Sequence, residues 1–302
     1  MNIRDLEYIC EVANVRHFGQ AAEACHVSQP ALSTQIKKLE KELGVTLFER
    51  DNRSVRLTDI GEELVDLAKE ALLVIDQMRQ RADSARDPFS GKFSLGFIPT
   101  IAPYLVPHFV SQCRTSMPKL DLLFQEDITE RLNGALLSGD LDAAILATPP
   151  ENPKLDVIRL YDEPFWVIFP KGHSLRMIKA IRTQDLPVDE LLLLTEGHCF
   201  RDQAMDVCEL NAAPEAQAIR ATSLETLVNM VAAEQGVTLV PALAIGTNWS
   251  TNETVVTKKL EDPEAYRRIY LTYRKSFPRQ ELLKNISNLI CANLPSKAVI
   301  LK

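Results

Sequence analysis

Two cysteines in the C-terminal half have the spacing of a possible redox couple. Cys199 and Cys208 stand at the two ends of the stretch CFRDQAMDVC. A thiol reacts as its thiolate, which nearby positive charge and a helix N-terminus both favour. His198 and Arg201 lie beside Cys199, and a helix can begin after Gly197. The pattern therefore suggests that Cys199 oxidises to a sulfenic acid and then condenses reversibly with Cys208.

Helical geometry restricts how these two thiols can meet. If residues 199–208 form one helix, the two Cα atoms lie roughly 13 Å apart at a rise of about 1.5 Å per residue. A disulfide requires Cα atoms within about 7 Å. A Cys199–Cys208 bond would therefore require local unwinding, and this refolding would act as the switch. The alternative is two ordinary buried cysteines, the commoner case for an arbitrary pair in a cytosolic protein.

Composition bounds the class of protein. The chain has 302 residues, of which 46% are hydrophobic and 25% charged, as in a soluble globular protein of two or three packed units. Its N-terminus has charges where a signal peptide is apolar, and no run approaches about 18 apolar residues, so we expect a cytoplasmic protein without a membrane segment. Cysteines in a reducing cytosol do not form a structural disulfide framework, and no CxxC or dense Cys/His cluster predicts a metal site. The other cysteines are predicted to be structural: Cys10, Cys25, Cys113 and Cys291.

The first sixty residues have the pattern of a helix-turn-helix. A short Ala-rich helix is followed by a tight turn and a second helix, Gln29 to Leu43, with Ser28 as N-cap and Gly44 after its end. One face of this helix is apolar and the other polar, as in a recognition helix. The buried face is predicted to consist of Leu32, Ile36, Leu39 and Leu43. The residues predicted to contact bases or phosphates are Ser28, Gln29, Pro30, Ser33, Thr34, Gln35, Lys37 and Lys38, with Arg50, Arg53 and Arg56 in a hairpin wing.

Net charge does not contradict a DNA-binding role. The whole chain carries −7, but residues 1–58 hold eight Lys/Arg and eight Asp/Glu, so the deficit lies in residues 59–302. The electrostatic footprint on DNA depends on where cations cluster and not on the total. The alternative is a solvated helical face beside a charged loop. Each segment of this stretch, taken alone, would favour that alternative, but their ordered combination favours the helix-turn-helix.

The stretch AAEACHVSQPALSTQIKKLEKELGVTLFERDNRSVRLTDIGEEL resembles the start of LysR-type transcriptional regulators. The resemblance implies a winged helix-turn-helix, residues 1–58, that is used as a dimer. Residues 59–87 are predicted to form one linker helix with Thr58 as N-cap. Its apolar stripe has near-heptad spacing, which leaves dimerisation and packing on its own domain both open, and the resemblance favours the dimer: Ile60, Leu64, Leu67, Ala71, Val74 or Ile75, and Met78.

Strands and helices alternate after a hinge at Asp87-Pro88, which predicts parallel α/β sheets. Strands are predicted at 93–98, 120–125, 143–147, 165–169, 191–194, 237–240 and 269–273, and helices at 105–115, 128–138 and 224–233. In LysR-type regulators this part resembles a periplasmic-binding-protein fold of two subdomains. The expected boundaries within residues 88–302 are subdomain I, 88–162 and 269–302, and subdomain II, 163–268. Thr100 and Thr129 follow the first two strands and are expected to face the cleft between the subdomains.

The segment GHCFRDQAMDVC resembles, nearly residue for residue, the redox loop of the peroxide-sensing members of the LysR family. FIPTIAPYL, RATSLETL and VPALA resemble further segments of the same proteins. The resemblance implies that Cys199 is the peroxidatic thiol and Cys208 the resolving one. It implies a peroxide pocket of Thr100, Thr129, His198, Arg201, Asp202 and Arg267, although segment 246–266 before Arg267 matches poorly.

The resemblance also implies a function. We expect a regulator of oxidative-stress genes that is not an enzyme, needs no cofactor and acts as a homodimer or homotetramer. Its expected partners are double-stranded DNA, hydrogen peroxide, a cellular thiol reductant and RNA polymerase. One alternative is a LysR-type regulator gated by a small organic effector, which would need neither thiol. A thiol peroxidase ranks last, since a helix-turn-helix has no role in it.

Overall fold

The computed structural model describes residues 1–51, 54–209, 221–245 and 254–295. Two compact units divide the chain, Met1–Ala82 and Asp83–Lys302. The dividing line falls near the end of a long helix, whereas the sequence predicts domain boundaries after residues 58 and 87. Those predicted boundaries stay a prediction.

The first unit contains the predicted helix-turn-helix and wing. In chain order its elements are α1 (Ile3–Val15), α2 (Phe18–Ala24), α3 (Gln29–Leu43), β1 (Phe48–Asp51), β2 (Ser54–Leu57) and α4 (Asp59–Arg86). β1 and β2 pair antiparallel. Ser28 Oγ accepts a hydrogen bond from the Ala31 N–H at 3.4 Å, and Pro30 stands in the first turn of α3, where no N–H is needed. Gly44 follows the helix with φ of 72°, so the predicted start and end of α3 are confirmed.

One apolar cluster holds this unit together. Leu32, Ile36 and Leu39 of α3 are buried in it. The ring of Phe18 meets that of Phe48 edge to face, with centroids 5.9 Å apart. Leu43 was predicted to belong to this buried face, but it is 37% exposed because it lies in the last turn of α3, where the chain turns away at Gly44.

The long helix α4 begins where the sequence predicts it. Thr58 Oγ1 accepts a hydrogen bond from the Gly61 N–H at 3.0 Å and so caps the first turn. Val65 and Ala68 pack into the core of the first unit. Members of the predicted dimerisation stripe stay exposed in the single chain, at 61% for Leu67, 55% for Val74 and 68% for Met78.

The second unit alternates strands and helices, as the sequence predicts. In chain order they are β3 (Gly91–Phe97), α5 (Ala102–Ser116), β4 (Leu120–Glu126), α6 (Thr129–Ser138), β5 (Ala143–Leu146), β6 (Leu155–Pro170), β7 (Leu191–Leu192), α7 (Cys199–Val207), α8 (Leu224–Ala232), β8 (Val237–Pro241), β9 (Val255–Lys259), β10 (Tyr266–Arg274) and α9 (Gln280–Ala292). Short 3-10 turns cover Ser174–Met177, Thr183–Asp185, Val188–Glu190 and Ala242–Ala244.

The sheet is mixed, which corrects the prediction of parallel sheets. Its strands follow the order β4-β3-β5-β10-β6-β8-β7, and β9 also pairs with β6. β3 is parallel to β4 and β5, and β7 is parallel to β8. The long strands β6 and β10 run antiparallel to each other and to their other neighbours. The sequence predicts only the apolar segments 165–169 and 269–273 of these two strands, because their other parts carry charged residues.

The two long strands join the halves of the second unit. β6 pairs with β10 along residues 155–164 and with β8 and β9 along residues 165–170. The first part of β6 therefore belongs to the half of the sheet that contains β10, and its last part belongs to the half that contains β8 and β9. The predicted subdomain boundaries, at 162/163 and 268/269, fall within β6 and β10 and stay a prediction. Two charged residues that face each other across these strands, Glu163 of β6 and Arg267 of β10, contribute to the site described next.

Candidate functional site

Helix α7 places the two candidate redox thiols at its opposite ends. Cys199 is its first residue, and Cys208 directly follows its last, with the Cys208 N–H bonded to the Ala204 carbonyl at 3.1 Å. Gly197 precedes the helix with φ of 91°, a left-handed conformation that favours glycine. Both cysteines are free thiols. The helix assumed in the sequence argument is therefore present, and a disulfide between its ends requires unwinding.

A small cavity lies beside Cys199. It has room for about one molecule of the size of water. The segment after β3, the start of α6 and the start of α7 form its wall. The lining residues are Ile98, Pro99, Thr100, Ile128, Thr129, Gly197, His198, Cys199 and Phe200. The structure thus brings Thr100, Thr129 and His198 together at the thiol, and that they surround a bound peroxide stays a prediction.

Arg267 of β10 lies directly behind this wall. Its guanidinium donates hydrogen bonds to the hydroxyl of Thr100 at 2.7 Å and to the Thr100 carbonyl at 2.9 Å. Glu163 of β6 pairs with the guanidinium at 2.8 Å, and neither side chain has exposed surface. The ring of Phe200 covers the guanidinium at 5.2 Å. Arg267 therefore brings buried positive charge close to Cys199 without lining the cavity itself.

Burial and nearby groups act on the Cys199 thiol in opposite directions. Burial is the larger effect and raises the pKa of Cys199 above its usual value. The Thr129 hydroxyl and the positive charge of Arg267 both lower this pKa, because they stabilise the thiolate. Thr129 Oγ1 is buried and completes no hydrogen bond among the described residues. Its hydroxyl is therefore available to the thiolate or to a molecule in the cavity.

Cys208 has no such compensation. Burial alone raises the pKa of Cys208 to about 11. Burial also lowers the pKa of His198, so its imidazole is neutral at neutral pH. The positive charge that the sequence assigned to His198 and Arg201 is therefore supplied by Arg267.

Arg201 and Asp202 are not among the residues that line this cavity, and their predicted place around a bound peroxide stays a prediction. Arg201 faces Glu196 at 3.8 Å and Asp202 at 3.6 Å, and Asp202 is exposed. Successive helix residues point about 100° apart, so Arg201, two positions after Cys199, points to the opposite side of α7, whereas Asp202, three positions on, stays on the Cys199 side. Asp202 acts on the thiol through its negative charge, which raises the pKa of Cys199.

Two further polar residues, the half-buried Gln203 and the buried Glu163, were not predicted from the sequence. Gln203 lies one turn after Cys199 on the same face of α7, and its Nε2 donates to the Ala147 carbonyl at 2.7 Å. The four-residue spacing was a signal that could have found it. Glu163 had no such signal, because Arg267, its partner, is 104 positions away in the chain.

Burial is the largest effect on the pKa of each of the remaining cysteines. Burial raises the pKa of both Cys10 and Cys113 to about 11. Burial also raises the pKa values of Cys25 and Cys291. Among the described residues, no three His, Cys, Asp or Glu side chains are grouped so that they could hold a metal ion.

The outer face of α3 carries most of the residues predicted to contact DNA. The exposed ones are Ser28, Gln29, Pro30, Thr34, Lys37 and Lys38, and Ser33 is half-buried. Gln35 differs, because its Nε2 donates to the buried carboxylate of Asp5 at 2.7 Å. The structure thus places Gln35 in a contact between α3 and α1, and its predicted contact with base edges stays a prediction. Arg56 is exposed on β2, Arg50 belongs to β1, and Arg53 lies outside the described residues.

Comparison with protein families and curated proteins gives matches over both units. Residues 3–62 match the family described as "Bacterial regulatory helix-turn-helix protein, lysR family", and residues 86–293 match the LysR substrate binding domain. The chain is 42% identical over 294 residues to the DNA-binding transcriptional dual regulator OxyR of Escherichia coli, covering 97% of this chain and 96% of that one. It is 37% identical to the hydrogen peroxide-inducible genes activator of Haemophilus influenzae, covering 98% of both.

Solved structures agree with these matches. Full-length OxyR of Pseudomonas aeruginosa, solved as a variant, aligns with a TM-score of 0.80 at 36% identity and covers 99% of this chain and 96% of its own. A peroxide-bound mutant of Corynebacterium glutamicum OxyR aligns with a TM-score of 0.66 at 34% identity, covering 97% and 92%. No helix in the part of the chain that the structure describes is long and apolar enough to cross a membrane. The chain belongs to the LysR family of bacterial helix-turn-helix regulators.

Proposed function

We propose that this regulator senses hydrogen peroxide through Cys199 and traps the oxidised state through Cys208. The observation that carries the proposal is the small cavity lined by Cys199, which has room for about one molecule of the size of water. Thr100 and Thr129 offer hydroxyl groups to such a molecule. Gating by a small organic effector would need neither thiol, whereas Cys199 itself lines this cavity.

The names of similar proteins support the same chemistry. Relatives from Escherichia coli O157:H7 and Haemophilus influenzae are called hydrogen peroxide-inducible genes activators, and a similar structure from Corynebacterium glutamicum has peroxide bound. Oxidised and reduced forms of OxyR are also among the similar structures. These statements concern those proteins, and we extend them to this chain because the cavity and both thiols are present here.

The proposed reaction has two balanced steps. The Cys199 thiolate attacks one peroxide oxygen, forms a sulfur–oxygen bond and releases hydroxide, which takes up a proton and leaves as water. Cys208 then attacks the sulfur of the Cys199 sulfenic acid, forms the disulfide and releases a second water. Peroxide is the oxidant, and the two thiols supply the electrons. A cellular thiol returns the disulfide to the reduced state by exchange.

The second step requires a change in the fold. Cys199 and Cys208 are separated by the whole of α7, so the helix must unwind before the sulfurs can meet. Phe200 would have to leave its place on Arg267 and Phe165. We infer that this rearrangement of α7 is the signal that alters DNA binding.

The DNA-binding half of the proposal rests on α3 and α4. Polar side chains of α3 would enter the major groove, and Arg56 would contact phosphates beside it. The exposed stripe with Leu67, Val74 and Met78 would pack against α4 of a second copy, giving a dimer or, from two dimers, a tetramer. In this proposal the protein acts in the cytoplasm as a regulator with RNA polymerase and not as an enzyme.

A footprinting experiment tests the proposal. Peroxide is expected to change the DNA protection pattern of the wild-type protein, whereas Cys199→Ser should keep the reduced pattern at every peroxide concentration. Cys291→Ser is the matched control, because Cys291 is also partly buried and has a raised pKa but lies on α9. A normal response from Cys199→Ser, or loss of the response in Cys291→Ser alone, would contradict the proposal.

A further inference from the structure

Glu163 holds Arg267 from the side away from the cavity. The two residues face each other across β6 and β10. Glu163 Oε2 accepts a hydrogen bond from Arg267 Nε at 2.9 Å and lies 2.8 Å from Arg267 Nη2. Its other oxygen, Oε1, accepts from the backbone N–H of Leu243 at 2.8 Å. The main chain therefore fixes the carboxylate, and the carboxylate fixes one edge of the guanidinium.

The other edge of the guanidinium faces Thr100. Arg267 Nη1 donates to Thr100 Oγ1 at 2.7 Å, and Nη2 donates to the Thr100 carbonyl at 2.9 Å. A hydroxyl that accepts such a hydrogen bond keeps its own proton free to donate. Thr100 also lines the cavity beside Cys199. The sequence of contacts from Glu163 through Arg267 thus leaves the Thr100 hydroxyl as a donor for a molecule bound in the cavity.

We propose that Glu163 is a positioning residue for the reaction of Cys199 with peroxide, acting by holding Arg267 so that Thr100 donates to the bound peroxide. This inference rests on the proposed function and deepens it. As the sulfur–oxygen bond forms and the oxygen–oxygen bond breaks, negative charge moves from sulfur to the departing hydroxide. A donor held in place at that oxygen lowers the barrier without moving during the reaction. Glu163 itself touches neither the sulfur nor the cavity.

A purely electrostatic role for Glu163 gives the opposite prediction. If the carboxylate only neutralised Arg267, replacing it by a neutral amide would leave more positive charge near Cys199. More thiolate would then form, and oxidation would be faster. If Glu163 positions Arg267, the same replacement places an amide N–H group opposite either the Leu243 N–H or the guanidinium, which are both donors. Arg267 and Thr100 then lose their fixed positions, and oxidation is slower. The sign of the change in rate therefore separates the two roles.

The same two strands provide a matched control. Asp162 is the neighbour of Glu163 in β6, and its Oδ1 accepts from Arg268 Nε at 2.9 Å. Arg268 is the neighbour of Arg267 in β10 and pairs with Asp162 in the register of the sheet. Because side chains alternate along a strand, this second carboxylate–guanidinium pair lies on the opposite face of the sheet from the cavity. Asp162→Asn thus makes the same chemical change in the same strand without reaching Thr100.

The experiment compares two reagents on the full-length reduced protein with Cys208 changed to Ser. Second-order rate constants for Cys199 are measured with hydrogen peroxide and with iodoacetamide. The iodoacetamide rate depends only on the thiolate fraction of Cys199 and on access to its sulfur. Glu163→Gln is expected to lower the ratio of the peroxide rate to the iodoacetamide rate at least tenfold, and Asp162→Asn should leave it unchanged. An unchanged or higher ratio in Glu163→Gln would overturn the proposal.

A double variant tests whether Glu163 acts through Arg267. The ratio for Glu163→Gln with Arg267→Gln is expected to equal that for Arg267→Gln alone, because the partner to be positioned is gone. Losses that multiply would overturn the proposal. If Glu163→Gln does not fold, Glu163→Asp keeps the charge but shortens the reach, and only positioning predicts a lower ratio for it. A wild type whose Cys199 reacts with peroxide no faster than free cysteine would instead refute the proposed function, and this inference with it.

Discussion

The two ends of α7 carry the same functional group in different surroundings. At the first end, burial raises the pKa of Cys199, but the Thr129 hydroxyl and Arg267 work against that rise. At the other end, burial raises the pKa of Cys208 to about 11 without opposition. The helix adds to the contrast, since its N-terminus favours an anion and its C-terminus disfavours one.

This difference assigns an order to the two thiols. At neutral pH only about one Cys208 in ten thousand would be a thiolate, given a pKa near 11. Cys208 therefore does not compete for peroxide while α7 is folded. Once α7 unwinds, the burial that raises its pKa is lost, and Cys208 becomes able to attack the sulfenic acid. The fold thus keeps the second thiol inactive until the first has reacted.

Replacing Cys208 should give the largest separation of the two roles. In Cys208→Ser we expect Cys199 to be oxidised at the wild-type initial rate, because Cys208 takes no part in the first step. No intramolecular disulfide can form, so the DNA response should be transient or weak. Sulfenic acid trapping measures the first step, and non-reducing peptide mapping measures the second. A durable wild-type response in Cys208→Ser would break the comparison between the two ends of α7.

The pH dependence of Cys199 oxidation measures whether burial, which raises the pKa of Cys199, outweighs Thr129 and Arg267, which lower it. Because the pKa of Cys199 is raised above its usual 9.0, thiolate content should increase about tenfold per pH unit below that value. Between about pH 6.5 and about pH 8.5 the rate with peroxide should therefore rise roughly a hundredfold, with no plateau. Stopped-flow rates on Cys208→Ser give this profile. A plateau below about pH 8 would mean that Arg267 and Thr129 outweigh burial.

The local parts of the site were accessible from the sequence. Ser28, Gly44 and Thr58 mark helix ends through short-range hydrogen bonds and backbone conformation, and each stands where the sequence places it. The spacing of Cys199 and Cys208 on one helix is likewise a local property. Such features depend on neighbours within a few residues, so periodicity and capping rules detect them.

The long-range parts were not accessible in the same way. Nothing near Glu163 in the chain indicates a buried partner, because Arg267 reaches it only through the pairing of β6 with β10. The antiparallel direction of those strands was missed for the same reason. Arg201 and Asp202 pair with each other at 3.6 Å, and their predicted place in the peroxide pocket stays a prediction.

The packing of Phe200 should set how readily α7 leaves the folded state. Phe200 meets the buried ring of Phe165 edge to face at 5.4 Å. Phe165→Leu removes that ring contact, which unwinding would break anyway, and costs the reduced state about 1 kcal/mol. We expect conversion of sulfenic acid to disulfide to become about fivefold faster. Rapid-quench mapping measures this step.

A second buried phenylalanine provides the control for this change. Phe169 lies on the same strand, is equally buried, and its ring meets that of His173 where the ring of Phe165 meets that of Phe200. Phe169→Leu should lower stability by a similar amount and leave the disulfide step at the wild-type rate. Equal acceleration in both variants would show that global loosening, and not the Phe165–Phe200 contact, controls the unwinding.

The smallest expected effect concerns the Thr129 hydroxyl. It is buried without a completed hydrogen bond, so Thr129→Val should leave thermal stability unchanged or slightly higher. Removing a group that lowers the pKa of Cys199 should raise that pKa further and slow oxidation about threefold at neutral pH.

Thr272→Val is the matched control, because Thr272 is also buried and its hydroxyl also lacks a partner among the described residues. If the iodoacetamide rate falls as much as the peroxide rate, Thr129 acts through the thiolate; if only the peroxide rate falls, it acts on the molecule in the cavity. Equal rates in wild type and Thr129→Val would leave Arg267 and the N-terminus of α7 as the groups that distinguish the first end of the helix from the second.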